Sequence, residues 1–455
     1  MFDAAPGAVA SKALLADILA AAPQHATAAR SEDLLRLVRD PDVNPAVVAR
    51  AGWQAVLRNG PFAQDTKAVA GETERNPLIR ALLEETPVTV MEVERIFTQA
   101  RRALLLEGTW QRFPLTVQAL AAQTRRNGGA WLFEADERAR LAAEPDAPIA
   151  DAYAVSPPAS RAAAASGDCV AEQYEAWPYP QWTRVTRRPP QQLADAVREL
   201  DPNGPDAIPQ APEILIAGCG TGREIAFHRV RYPDARITAI DVSGESLRYA
   251  DERLAQAGLG GAELIRHDLH DVAALRRRFD FISCIGVLHH LPDPEKGWAA
   301  LTRVLKPGGV MQIMVYSAAA RLRVLAVRTG FADLLGQPMS DDLLREARRR
   351  AIAREAKGIV GSNDFFTLAG VHDLLLHRHE DPFDVRRIGR ALDTLGLELL
   401  TFKLTNRNRR ARYRAMHPGD PLLRDRAAWE ALEMAEPMLF SGMHEFWCRK
   451  PTATR

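Results

Sequence analysis

Residues 213–224 place an apolar run, Glu213-Ile214-Leu215-Ile216-Ala217, directly before Gly218-Cys219-Gly220-Thr221-Gly222, and Asp241 closes the next apolar run, Arg236 to Ile240. Alternating glycines let a backbone turn sharply and come close to a ligand, and a carboxylate at the end of the second strand can accept both hydroxyls of a ribose. A dinucleotide loop needs a small residue where Arg223 stands, and a phosphate-gripping loop needs Lys-Ser/Thr where Arg223-Glu224 stand. The pattern therefore predicts an adenosine-type ligand without phosphates, held by Gly218, Cys219, Gly220, Thr221, Gly222, Asp241 and Val242.

Four further segments extend the pattern: Arg266-His267-Asp268-Leu269, Phe279 to Leu291, Leu305 to Met311, and an aromatic stretch, Gln173 to Trp182. Their order and spacing resemble the class I S-adenosylmethionine-dependent methyltransferases. The stretch Tyr174-Glu175 to Trp182 resembles a Tyr-Glu-x-x-Pro-Tyr-Pro-x-Trp segment of a bacterial subset whose N-terminal region is helical or tetratricopeptide-like. The resemblance implies S-adenosyl-L-methionine as cofactor, with Asp268 and Leu269 at the adenine and Gly286 and Val287 at the exit of the fourth strand. One departure is Ala217, where many members carry an acid. The exit lacks the Asn/Asp-Pro-Pro-Tyr/Phe of enzymes that methylate amide or exocyclic nitrogens.

Transfer of a methyl group from a sulfonium is an in-line displacement, so alignment and exclusion of water come first and a base is optional. His289 and His290 are the candidates for such a base, because an imidazole titrates near neutrality, and Tyr316 at the end of the fifth strand is a second candidate. The favoured role for the histidines is structural, one packing beside the cofactor and the other hydrogen-bonding backbone. Aromatic faces attract a cation and prolines stiffen a loop, so Tyr174 is expected nearest the cofactor, with Trp177, Tyr179 and Trp182 around the acceptor. A docking anchor is the alternative for this segment. Phe365 and His377, from a segment that again resembles the same enzymes, complete the expected acceptor pocket. Asp373 and His377 have the i,i+4 spacing of a helical metal pair, yet no metal is implied.

These residues require a parallel sheet with helices on both faces, its ligand at the carboxyl ends of the strands. Strand-like runs at 213–217, 236–240, 262–266, 279–285 and 309–315 alternate with helical stretches, and runs at 397–404 and 443–449 complete a Rossmann-like seven-strand sheet including an antiparallel edge. An all-helical domain is expected over 1–142, with apolar faces such as Leu34, Leu35, Leu37 and Val38. Residues 143–166 read as a Pro/Ala-rich linker, and 167–455 as the methyltransferase domain, with a helical insertion at about 318–392 shaping the acceptor pocket. The helical domain could recruit a partner, act as a lid or make a homodimer.

With 455 residues, 47% hydrophobic, the chain is long enough for two or three domains. Lys+Arg 59 against Asp+Glu 58 gives no global bias toward nucleic acid or an anionic membrane. Two basic runs, Arg345 to Arg354 and Lys403 to Arg414 with Tyr413 among them, could face RNA, but an ordinary solvated surface is preferred. Cys169, Cys219, Cys284 and Cys448 are scattered, which reads as reduced thiols of a cytoplasmic protein. The acceptor is open: a protein or peptide side chain is favoured over a small metabolite for an O or N nucleophile, with RNA methylation and a non-catalytic cofactor-binding module as alternatives. Arg223 generates the first prediction: calorimetry will detect S-adenosylhomocysteine binding and none of NAD, and the reverse would overturn the reading of the loop.

Overall fold

The computed structural model describes Lys12, Leu15, Ala16 and Leu19 together with residues 31–59, 65–153, 170–204, 206–335, 337–356, 358–404, 407–440 and 442–452. The chain forms two compact bodies. One comprises residues 1–167, 179–189 and 327–376; the other comprises 168–178, 190–326 and 377–455.

The first body is helical. Helices Ser31–Arg39, Pro45–Asn59, Thr66–Arg75, Pro77–Glu85, Met91–Leu106 and Pro114–Asn127 enclose Trp53, Phe97, Leu82 and Leu120, all essentially without solvent contact. Asn76 separates two of these helices by chemistry: its backbone N–H caps the end of one, and its side chain accepts from Leu78 N–H at the start of the next. Residues 341–353 and 368–375, expected inside the insertion of the catalytic domain, belong to this body instead. The reason is a buried charge. Arg348 is fully buried, donates through both terminal nitrogens to the Glu94 carboxylate and gives its Nε–H to the Phe365 carbonyl. Arg345 donates to the Gly129 carbonyl at 2.7 Å.

The expected linker also starts later than its composition implies. Residues Pro148–Ala152 form a short 3-10 helix with Ile149 and Ala152 buried, and the Ala152 carbonyl accepts from Arg101 at 2.9 Å and Thr124 at 2.7 Å. Residues 154–169, including Cys169 and most of the linker, lie outside the described residues.

The second body carries a seven-stranded sheet in the order β3-β2-β1-β4-β5-β7-β6. The strands are β1 Glu213–Ala217, β2 Arg236–Asp241, β3 Glu263–Arg266, β4 Phe279–Ile285, β5 Leu305–Tyr316, β6 Glu398–Phe402 and β7 Met443–Arg449. β1 to β5 pair in parallel, and β7 runs antiparallel to both β5 and β6. The antiparallel strand is thus interior rather than at the edge. β7 is buried along nearly its whole length, whereas β6 begins exposed at Glu398, which suits β6 to the rim.

Both basic runs are largely committed to packing. In the second, Lys403 pairs with Glu445 at 2.7 Å and Arg409 donates to the Met438 and Leu439 carbonyls. Tyr413 is buried, stacked on Trp429 with centroids 3.9 Å apart, and donates its hydroxyl to Asp420. It presents no ring to a nucleobase.

Removing one partner of a buried pair strands the other charge, at a cost of about 3–5 kcal/mol. Arg348→Ala should therefore lower the stability of the chain by that order in denaturant unfolding, and the double variant Arg348→Met/Glu94→Leu should recover a large part of it. Equal losses in both variants would show that shape, not charge, is what matters there.

Candidate functional site

The glycine loop leaves β1 with Gly218, Gly220 and Gly222 all at positive φ, 69°, 49° and 83°. A Cβ on Gly218 would stand 2.4 Å from a Val287 methyl, and one on Gly222 would stand 2.7 Å from the Ala250 Cβ. Side chains are therefore excluded on two grounds, conformation and contact. The Gly218 and Cys219 N–H groups both donate to the Ile240 carbonyl at 2.9 Å, which ties the loop to the end of β2. At the exit of β4, Gly286 also has positive φ, 75°, and no atom lies within 4 Å of where its Cβ would be. The loop is thus packed on one side and open beside the β4 exit.

Asp241 is held by backbone on both oxygens. Oδ2 accepts from Gly220 N–H at 2.7 Å and Oδ1 from Ser243 N–H at 2.9 Å. Burial pushes its pKa above the ordinary carboxylate range, and the Glu175 charge adds to that, while the N–H donors act in the opposite sense. Each oxygen keeps a second lone pair for an incoming hydroxyl. Asp268 caps the 3-10 helix Leu269–Leu275 by accepting from His270 N–H, and its pKa is held low by that bond and the His270 ring despite partial desolvation. Leu269 is buried in the core, and the Val242 carbonyl accepts from Arg266 at 3.0 Å. The Cys219 thiol is buried and pushed well up by desolvation, so it stays protonated. Thr221 is also fully buried.

Five rings form a row at the exits of β4 and β5. The Tyr174 hydroxyl lies 3.3 Å from His377 Nε2, His377 stacks on His290 at 3.7 Å, His290 adjoins His289 at 4.2 Å, and His289 adjoins Tyr316 at 3.9 Å. Arg321 caps the row over the Tyr316 ring at 4.2 Å and is itself paired with the buried Glu380. The backbone sets each tautomer. Tyr316 N–H donates to His289 Nδ1 at 3.2 Å, and His379 N–H donates to His377 Nδ1 at 3.1 Å, so in both rings the proton sits on Nε2. His290 is the opposite case: its Nδ1 donates to the His379 carbonyl at 3.0 Å, which leaves a lone pair on Nε2. Burial lowers the pKa of His289 well below its ordinary value and that of His290 to about 4, so both are neutral.

The sequence candidates divide between the two bodies. Tyr174, Trp177, His289, His290, Tyr316 and His377 belong to the sheet body, with Trp177 buried. Tyr179, Trp182 and Phe365 belong to the helical body, where Tyr179 donates to Asp364 and Phe365 is fully buried beneath the Arg348 guanidinium, 4.9 Å away. Asp373 falls in the helical body and His377 in the sheet body, so the pair does not share one helix: Leu368–Leu375 ends between them.

Glu175 was not singled out by the sequence. Its carboxylate accepts from Gly244 N–H at 2.9 Å, Glu245 N–H at 2.8 Å and Arg266 at 3.0 Å, with the Ser243 hydroxyl at 3.4 Å. An acid beside an aromatic was the available signal, but its partners are 68 to 91 residues away.

Residues 214–309 match the family model of a methyltransferase domain. Among curated proteins, the chain is 42% identical over 131 residues to an uncharacterised protein of Synechococcus sp., covering 29% of this chain and 31% of that protein. It is 32% identical over 110 residues to trans-aconitate 2-methyltransferase of Deinococcus radiodurans, covering 24% and 40%. Among solved structures, PKMT2 of Rickettsia typhi in complex with AdoHcy aligns over 56% of this chain and 52% of that one, with 15% identity and a TM-score of 0.43. The chain thus spans less than half the length of these two curated relatives. The sheet body is a class I S-adenosylmethionine-dependent methyltransferase domain, preceded by helices, and S-adenosylmethionine is the cofactor of that class. No helix among the described residues is long and apolar enough to cross a membrane.

The residues present fit this cofactor: the glycine loop excludes side chains, Gly286 opens on free space, and Asp241 offers two aligned acceptors. Asp241→Ala removes both acceptors and should weaken S-adenosylhomocysteine binding by about 1–3 kcal/mol in calorimetry. Unchanged affinity with an intact fold would place the ribose elsewhere.

Proposed function

We propose that the chain transfers a methyl group from S-adenosylmethionine to an oxygen or nitrogen nucleophile, and that His290 receives the proton the nucleophile loses. The observation that carries this reading is the lone pair on His290 Nε2, which follows the β4 exit where Gly286 borders open space. Bound there, the cofactor supplies a sulfonium methyl to an attacking lone pair. Asp241 holds the ribose, and the Gly218–Gly222 backbone accommodates the amino-acid end. Tyr174 and the histidine row wall the reacting atoms from water, and their aromatic faces suit a cationic sulfur. His289 cannot serve as the base, since its Nδ1 lone pair is engaged by Tyr316 N–H and its Nε2 carries the proton.

Trans-aconitate 2-methyltransferase and the ubiquinone biosynthesis O-methyltransferase of Thiobacillus denitrificans, 32% identical over 116 residues, support a small metabolite as acceptor. The helical body supports a protein or peptide side chain, because such bodies present partners. Incubating cell extract with methyl-labelled cofactor and separating the products by size decides between them: label in the macromolecular fraction supports the second, label in the small-molecule fraction the first, and none in either contradicts methyl transfer.

A base must be neutral to act, and the depressed pKa of His290 keeps it neutral as pH falls to about 4. With the acceptor so identified, His290→Gln should lower kcat by roughly 100-fold or more with S-adenosylhomocysteine affinity retained. The wild-type rate should hold through pH 6.5 and fall only toward pH 4. An acid limb centred near 6.5, or an unchanged kcat in the variant, would remove His290 from the role.

A further inference from the structure

The helix Gly244–Gln256 begins three residues after Asp241, and the four N–H groups of its first turn are all accounted for. Ser246 N–H donates to the Ser243 hydroxyl and Leu247 N–H to the Ser243 carbonyl, which is ordinary capping. The Gly244 and Glu245 N–H groups donate instead to Glu175, a residue from outside the sheet, with Arg266 on the same carboxylate. A carboxylate is well placed at the positive end of a helix, and bonds to it are charge-assisted. Its neighbour Tyr174 reaches the other way, to His377 and through it to His290 after β4, while Gln173 accepts from Arg378 N–H at 3.4 Å. β2 and β4 flank β1 in the sheet. Adjacent residues of the short helix Val170–Ala176 therefore engage the exits of both strands beside the one that carries the glycine loop.

We propose that Glu175 is a positioning residue that latches Val170–Ala176 as a strap across the mouth of the nucleoside site, so that cofactor and product exchange require the Glu175 contacts to open. The proposal rests on the cofactor reading above. The latch sits on the same turn as the ribose acceptor: Ser243, whose N–H holds Asp241, is also within reach of Glu175. Closing the strap thus firms the turn that orients Asp241 and brings Tyr174 over the ring row in one movement.

The test uses the full chain and S-adenosylhomocysteine, with dissociation followed by stopped flow and backbone exchange of residues 170–178 followed by mass spectrometry. In the wild type, binding should protect 170–178. Glu175→Ala should raise the dissociation rate by roughly 10- to 100-fold, as expected for losing two charge-assisted bonds, and abolish that protection. Glu175→Gln, which keeps the shape but not the charge, should fall between. A purely structural role predicts a lower melting temperature of the free protein with an unchanged dissociation rate and unchanged protection, and that result would overturn the proposal. Should Glu175→Ala fail to fold, Arg266→Met answers the question, since Arg266 is largely exposed and leaves the helix cap intact: it should speed dissociation, and an unchanged rate would count against the strap. Failure of the wild type to bind S-adenosylhomocysteine would refute the cofactor reading itself, a result distinguishable from loss of the latch alone.

Discussion

Asp241 is held from two directions, by the N–H of Gly220 in the loop after β1 and by the N–H of Ser243 at the start of the next helix. These two hydrogen bonds, with those from the Gly218 and Cys219 N–H groups to the Ile240 carbonyl, fix the distance between the exits of β1 and β2. A carboxylate desolvated this far needs such donors to remain an acceptor, and their positions demand the left-handed turns that only glycine adopts readily. The glycine pattern, the acid and the strap through Glu175 are in this sense one arrangement, in which each part positions the next.

The row of rings at the β4 and β5 exits follows another rule. Three imidazoles in a contiguous row, with His290 between His289 and His377, could not all be charged, and burial keeps His289 and His290 neutral. Once neutral, they differ only by where the backbone puts the proton. A carbonyl at His379 and N–H groups at Tyr316 and His379 make one ring basic at Nε2 and the other two donors there. The tautomers are thereby set by main-chain groups at Tyr316 and His379, which the side chains alone do not reveal.

Much of the sheet was legible because its signals are local. The runs at 213–217 and 279–285 become strands with those bounds, and the loop glycines have the positive φ their spacing implies. What was not legible depends on partners far away in the chain. Arg348 looks like one member of a surface run until Glu94, 254 residues earlier, draws it into the helical body. Tyr413 looks available for stacking until Trp429 covers it. The order of β6 and β7 is set by which strand can be buried on both sides, a property visible in the apolar Phe446-Trp447-Cys448 run but not in strand order. Phe365 and His377 come from one segment that resembles the same enzymes, and they fall in different bodies.

The most direct measurement is a crystal structure of the chain with S-adenosylhomocysteine. The account predicts both ribose hydroxyls within hydrogen-bonding distance of the Asp241 oxygens, the sulfur facing the open side of Gly286 toward His290 Nε2, and Glu175 still on the Gly244 and Glu245 N–H groups. A nucleoside bound with Asp241 out of reach, or a sulfur turned away from the β4 exit, would contradict it.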